Sequence, residues 1–299
     1  MANVFIVHNP VSGTQTPDVI QKKIQNFFTE KQWDYTIHTT QKDEDTPALI
    51  ADKLNDYDLF IAAGGDGTIS AVASVTYNTD KLLGIIPIGT GNGLASDLRI
   101  PLDVDQALEL IYSRLAIKSI DTFIIKDRHY LLNMSIGFTS LAMEKATRQE
   151  KRKLGRFAYF LGGLKALIGI QPNTFQIVVD GRKIKIRASE IIVLNSITLG
   201  DAGRYLNLGV KHDDGKLDLF AVKSKNLLDY LNVVAMVTLR RLKTDPRVVH
   251  FYIQDTLSIQ SKDPIRVQAD GELIGFTPVE LQLVPQSVNI IVPESDKTP

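Results

Sequence analysis

The sequence predicts an α/β part with a mostly parallel, three-layer sheet over residues 1–121. A mainly antiparallel β part, a β-sandwich, follows over residues 122–299. Three observations predict this. Apolar strand-like runs alternate with helical patterns through the first 120 residues. Glycine-rich loops follow three of those runs. Beyond about residue 121, strand patterns follow one another with turns and few helices.

The first-part strands fall at residues 4–9, 35–40, 59–63 and 82–88, as near-continuous apolar runs of the kind that parallel sheets bury. Thr16-Pro17-Asp18 starts a helix with a cap, a first-turn proline and an acid, and Ile20, Ile24, Phe27 and Phe28 share one face. Thr46-Pro47 repeats that start ahead of Leu49, Ile50 and Leu54. Ile69, Val72, Ala73 and Thr76 mark a helix after the second glycine loop, and residues 105–111 mark a fourth.

In the second part, residues 120–126 and 130–137 flank Asp127-Arg128-His129 as a hairpin. Residues 175–180 and 182–186 flank an Asp180-Gly181 turn. Strands continue at 191–195, 217–222, 248–254, 257–260, 265–269 and 279–283, with one helix at 227–242. A last strand, about 288–292, could return to the first part. Residues 154–171 are apolar on nearly all sides and follow Arg148, Lys151, Arg152 and Lys153. Such a stretch reads as a buried helix, or as one that lines an acyl-chain pocket or touches a membrane.

Bulk properties narrow the function classes. The chain has 299 residues, 44% hydrophobic and 23% charged, ordinary for a globular protein. Lys+Arg 34 balances Asp+Glu 34, which argues against a nucleic-acid binder. Cysteine is absent, so disulfides and thiolate metal sites are excluded. The five histidines show no metal-ligand spacing, and no Gly-x-Ser-x-Gly elbow is present. No signal peptide and no membrane-spanning run is read, so the expected location is cytoplasmic, peripheral to a membrane at most.

The chemistry is carried by the loops. Gly64-Gly65-Asp66-Gly67-Thr68 stands between a strand and a helix. Backbone N–H groups there can surround phosphate oxygens, and the helix start adds a positive dipole end. Asp66 would repel phosphate unless a cation bridges the two, which points to a nucleotide–Mg²⁺ site. The plain alternative is a tight strand–helix turn. Asn9-Pro10-Val11-Ser12-Gly13-Thr14 and Gly89-Thr90-Gly91-Asn92-Gly93 also follow strands, and in a parallel sheet such ends share the ligand-binding edge. Neither the Walker A pattern nor the dinucleotide fingerprint is present.

Asn9-Pro10-x-Ser12-Gly13, Gly64-Gly65-Asp66-Gly67-Thr68 and Pro87-x-Gly89-Thr90-x-Asn92, in that order, resemble the diacylglycerol kinase catalytic-domain superfamily, which includes soluble bacterial lipid kinases and sphingosine kinases. Asp213-Asp214-Gly215-Lys216-Leu217-Asp218 resembles its structural Mg²⁺ loop, and Asp270-Gly271-Glu272 its late acidic motif. The resemblance implies a nucleotide-binding α/β domain beside a β-sandwich lipid domain, with the active site in the cleft between them. It implies ATP and Mg²⁺ as cofactors, a lipid alcohol as substrate, and no nucleic acid; a homodimer and a membrane surface are further expected partners. Asn9, Pro10, Ser12, Gly13, Thr14 and Thr40 would line the ATP site. Gly64 to Thr68 would hold the triphosphate, with Asp66 acting on Mg²⁺ or orienting the hydroxyl. Gly89, Thr90 and Asn92 would lie against phosphate. Asp270 or Glu272 would be the general base, and the sequence leaves the choice open. The structural Mg²⁺ would take Asp214 and backbone carbonyls near Lys211 and Lys216.

The family pattern is broken at Gly93, where bacterial members carry aspartate; the nearest carboxylate is Asp97, about one helical turn on. Ser70 and Ala71 replace polar residues common there. An NAD kinase-like enzyme and a non-catalytic nucleotide or lipid binder are the competing readings.

Overall fold

Residues 4–8 are buried as the first strand, and both of its neighbours in the sheet pair with it in parallel. The computed structural model describes residues 3–13, 16–137, 140, 172–196, 209–224, 229, 232–233, 236 and 245–294. These divide into two compact units, the first holding residues up to 122 and from 285 on, the second holding 123–196 and 209–284.

In the first unit, β1 (Val4–His8), β2 (Tyr35–Thr39), β3 (Leu59–Gly64) and β4 (Leu82–Pro87) stand in the order β2-β1-β3-β4, all parallel. Leu59, Phe60 and Ile61 are fully buried. Each contributes about 1.5–3 kcal/mol of apolar burial, the reason these runs tolerate almost no polar residue. The crossovers are α1 (Pro17–Glu30), α2 (Thr46–Ala51) and α3 (Asp66–Thr76). The short α4 (Gly93–Asp97) and then α5 (Val104–Ser113) follow β4. Ile20, Ile24 and Phe28 form the buried stripe of α1, four residues apart. Asp103 caps α5 by accepting the Gln106 N–H at 3.0 Å. The cap of α2 is Asp45, not Thr46: its carboxylate accepts the Ala48 N–H at 3.1 Å. That helix stops at Ala51, before Leu54.

In the second unit two sheets face each other. β8 (Asn173–Val179) and β9 (Arg182–Ala188) form a hairpin whose turn residues Asp180 and Gly181 both have positive φ, the geometry that matches strand twist. β8 also pairs β13 (Thr256–Ser261), which pairs the start of β16 (Val279–Val292). The opposing sheet runs β12-β11-β10-β7-β14-β15, with β7 (Asn133–Gly137), β10 (Glu190–Leu194), β11 (Leu217–Val222), β12 (Val248–Ile253), β14 (Arg266–Ala269) and β15 (Glu272–Phe276). Phe123, Met134, Ile136, Phe175, Ile177, Leu219 and Ile259 sit in the core between them.

Two strands run through both units: β5 (Ala116–Ile125) and β16. The expected strands at 279–283 and 288–292 are one 14-residue strand, whose Asn289 and Ile290 pair in parallel with Leu82 and Leu83 of β4. Residues 130–137 do not form one strand. β6 (Arg128–Tyr130) pairs β5, while β7 lies in the opposing sheet beside β10 and β14. The apolar segment 154–171 and the helix expected at 227–242 lie outside what is described, apart from the isolated residues 229, 232–233 and 236. Among the described residues no helix is long and apolar enough to cross a membrane.

Candidate active site

The first three loops meet at the carboxyl edge of the parallel sheet. The Asn9 N–H donates to Ala63 O at 2.9 Å, and the Ile88 N–H donates to Gly64 O at 3.1 Å, so the loops after β1, β3 and β4 leave the sheet at one level. The Asn9 side-chain amide donates to Thr68 Oγ1 at 3.2 Å, and its carbonyl accepts the Val11 N–H. Gly13 has φ +73°, and a Cβ there would collide with Ile88 O. A Cβ on Gly89 would collide with Gly65 Cα. Two of the glycines are thus required because backbones of different loops touch, beyond any need of their own turns.

Asp66, the first residue of α3, reaches across to the third loop. Its Oδ2 accepts the Gly93 N–H at 3.0 Å and its Oδ1 the Leu94 N–H at 3.1 Å. Gly65 and Asp66 are thereby locked against the turn that starts α4. Each oxygen keeps one lone pair, so the carboxylate fits a hard cation on its remaining side. Asn92 sits in the left-handed region at φ +49°, and its amide donates to Gly89 O at 2.8 Å and Pro87 O at 3.3 Å. Its donors shape the loop. Thr90 lies between them, and Asp97 ends α4, half-buried.

Pro10 and Ser12 stand in the turn after β1, where the Ser12 N–H donates to Asn9 O at 3.2 Å. Thr14 lies outside the described residues. Thr40 follows β2 on the same edge, its N–H donating to His8 O at 2.9 Å. Nearby, His38 Nε2 bonds both oxygens of Glu44 at 2.9 and 3.0 Å. Burial alone would push the Glu44 carboxyl up, but the His38 bond and the Gln41 N–H together hold it below its ordinary value. His8 is buried at the end of β1, with neither ring nitrogen bonded among the described residues, and burial lowers its pKa.

The second unit carries the late acidic motif at the tip of the β14–β15 hairpin. Asp270 (φ +47°) and Gly271 (φ +85°) form the two-residue turn. The Asp270 carboxylate accepts three backbone N–H groups: Leu131 at 2.8 Å on Oδ2, and Leu132 at 2.8 Å and Asn133 at 3.0 Å on Oδ1. Between β6 and β7 the Leu131 and Leu132 N–H groups bond this side chain instead of a neighbouring strand, so residues 130–137 form two strands. Glu272, exposed, pairs with Arg128 at 3.2 Å. Gln268 completes the turn by accepting the Gly271 N–H and donating to Asn133 Oδ1 and Ser135 Oγ.

Asp214 is exposed in the turn before β11, with Lys211 and Lys216 at its two ends and Gly215 at φ +67°. One carboxylate plus main-chain carbonyls is a hard-oxygen donor set suited to Mg²⁺ or Ca²⁺. Among the described residues no group of three His, Asp or Glu side chains gathers to hold a metal.

The partners of these side chains carried no signal in the sequence. The Gly93 and Leu94 N–H groups that hold Asp66 are 27 and 28 residues away, and the backbone that Asp270 holds is 137 to 139 away. Arg128, the partner of Glu272, is 144 residues away. Asn92, in the Gly91-Asn92-Gly93 run, carried a local signal for its left-handed turn.

Two family descriptions match in order along the chain: the diacylglycerol kinase catalytic domain over residues 3–124, and the YegS C-terminal NAD kinase beta sandwich-like domain over residues 133–292. An uncharacterized protein of Synechocystis sp. is 34% identical over 78% of this chain, which spans 54% of that protein's length. Diacylglycerol kinase of Bacillus subtilis is 27% identical over 98% of this chain and 97% of its own length. The crystal structure of a diacylglycerol kinase from Bacillus anthracis str. Sterne shares the fold, with a TM-score of 0.82 at 24% identity over 98% of both chains.

Proposed function

The chain belongs to the diacylglycerol kinase catalytic-domain family of lipid kinases, completed by a YegS-type β-sandwich, and on that premise we propose that it transfers the γ-phosphoryl group of ATP to the hydroxyl of a lipid alcohol such as diacylglycerol. The observation that carries the proposal is the meeting of three glycine loops at one sheet edge, with Asp66 locked at their centre. Phosphoryl transfer asks mainly for positioning and charge neutralisation, and rigid, tightly apposed backbone N–H groups supply both.

In this reading the loops at 9–13, 64–68 and 89–92 hold the triphosphate. Asn9 and Thr68 brace each other, so a change at either moves the first two loops together. Mg²⁺, when bound, neutralises charge on the phosphates, and Asp66 is the residue that would hold it. Asp214 and the carbonyls at Lys211 and Lys216 would hold a second, structural ion. Asp270 or Glu272 accepts the proton that the lipid hydroxyl loses as its oxygen bonds to phosphorus. Asp270 also holds the backbone at 131–133, so activity lost on its removal identifies the base only where the fold survives. Gly93 stands where bacterial relatives carry aspartate, and its contribution to this loop is the backbone N–H that orients Asp66.

The test is transfer of labelled phosphate from Mg²⁺-ATP to diacylglycerol, monoacylglycerol, phosphatidylglycerol, ceramide and a sphingoid base. A labelled lipid, lost in Asp66→Ala, supports the reading. Labelled NAD in place of lipid, or ATP binding without transfer to any acceptor, overturns it.

A further inference from the structure

The late acidic turn is held by more than its own carboxylate. Gln268 precedes it on β14 and is buried, although it lies on the face opposite the core residues Val267 and Ala269. Register sets Gln268 opposite Ser135 on β7, which brings Asn133 and Ser135 to the same face. Its Nε2 donates to Asn133 Oδ1 at 2.9 Å and to Ser135 Oγ at 2.8 Å, and its Oε1 accepts the Gly271 N–H at 3.0 Å. Both amide hydrogens are used, and the Gly271 N–H fixes which end of the amide is oxygen.

These bonds close a ring. The Asp270 carboxylate accepts the Asn133 N–H at 3.0 Å, the Asn133 side chain accepts from Gln268, Gln268 accepts from Gly271, and Gly271 is joined covalently to Asp270. One circuit thus sets both the Asp270 side chain and the backbone of its turn. The β14–β15 ladder shifts at the same level: Val267 faces Gly275 and Gln268 faces Leu273, with Ile274 as the extra residue of a bulge. Hairpin stability does not ask for the glutamine. Asp270 and Gly271 already take the positive φ of a two-residue turn, and Gly271 is exposed, where water serves its N–H. Burying a glutamine costs side-chain freedom and desolvation, and what a fully bonded amide adds is a specified orientation.

We propose that Gln268 is a positioning residue for the late acidic motif: through Asn133 and Gly271 it fixes the direction of the Asp270 carboxylate and of the backbone that carries Glu272. This rests on the lipid-kinase reading, in which one of these two carboxylates takes the proton of the lipid hydroxyl. A misplacement of about 1 Å costs on the order of 100-fold in rate, so the ring acts on kcat. The nucleotide loops belong to the other unit, so KM for ATP is left unchanged.

The experiment compares the full chain with Gln268→Met, Gln268→Glu and Ser135→Ala by amide hydrogen exchange and by phosphate transfer to the lipid panel, with rates counted per folded molecule. Gln268→Met keeps the volume and removes the ring. Gln268→Glu keeps the acceptor for Gly271 and cuts the ring at Asn133, and it serves where the first variant does not fold. Ser135→Ala strips a bond of Gln268 that lies outside the ring. Exchange at Leu131 and Leu132, which Asp270 holds and Gln268 does not touch, accelerates about tenfold or more in both Gln268 variants and stays as in wild type in Ser135→Ala. In the Gln268 variants kcat falls by about 10- to 100-fold with KM for ATP within about twofold, and Ser135→Ala keeps both. Faster exchange at Gly271 alone in Gln268→Met overturns the proposal. So does full kcat per folded molecule in either Gln268 variant. Absent turnover by wild type counts against the lipid-kinase reading, and exchange at Leu131 and Leu132 then decides the positioning by itself.

Discussion

Replacing Asp270 with asparagine separates a structural duty from a chemical one. The carboxylate accepts three N–H groups at 2.8 to 3.0 Å, from Leu131 and Leu132 between β6 and β7 and from Asn133 at the start of β7. The amide keeps one oxygen. Turned to the Leu132 and Asn133 pair, it presents its NH₂ to the Leu131 N–H, donor against donor. Hydrogen bonds to a charged group contribute about 1.5–3 kcal/mol each, and the two that remain lose the charge. A loss of about 3 kcal/mol follows for the second unit, with no added backbone strain, since asparagine tolerates φ +47° as aspartate does. Urea unfolding reads the loss, and amide hydrogen exchange at 131–133 localises it as an acceleration of about 100-fold, 1.4 kcal/mol being tenfold. Glu272→Gln is the comparator: its ion pair with Arg128 is exposed, and stability stays within about 0.5 kcal/mol of wild type. Unchanged stability and unchanged exchange at 131–133 in Asp270→Asn would refute the reasoning.

Gly13→Ala drives a Cβ into Ile88 O at a left-handed φ, so ATP affinity measured by calorimetry falls at least tenfold, with a loss of stability of about 2 kcal/mol or more. Gly67→Ala meets nothing within 4 Å inside α3, and the unfolding midpoint rises by the equivalent of about 0.5–1 kcal/mol. Burial lowers His129 to about 4 from 6.5, so the unfolded chain takes up a proton that the folded one refuses between those values. Stability is therefore lost as pH falls from about 6.5 towards 4. From pH 7 to pH 5 the His129 share is about 2 kcal/mol by urea unfolding, and His129→Phe removes it.

The parallel sheet and its loops were legible because their signals are local: continuous apolar runs such as 59–63 and glycines placed just after them. The hairpin at Asp180-Gly181 was legible for the same reason, as both residues suit positive φ. The split of 130–137 was not, because the groups that bond the backbone at 131–133, the Asp270 carboxylate with Asn195 and Ser196, lie far along the chain. Asp66 was identified by type, but its orientation is set by the backbone of another loop. Asn92 carried no sign in the sequence that its amide hydrogens go to the Pro87 and Gly89 carbonyls.

The central claim is that the apposed glycine loops and Asp66 hold a triphosphate for transfer to a lipid hydroxyl. Its most direct test is phosphate transfer from labelled Mg²⁺-ATP to the lipid panel, with wild type, Asp66→Ala, Glu272→Gln and Asp270→Asn run in parallel and each checked for folding. The account predicts one labelled lipid with wild type, none with Asp66→Ala, and a loss of at least 100-fold in a folded variant of either Asp270 or Glu272. Full turnover by Asp66→Ala, or no labelled lipid with wild type that binds ATP, would contradict it.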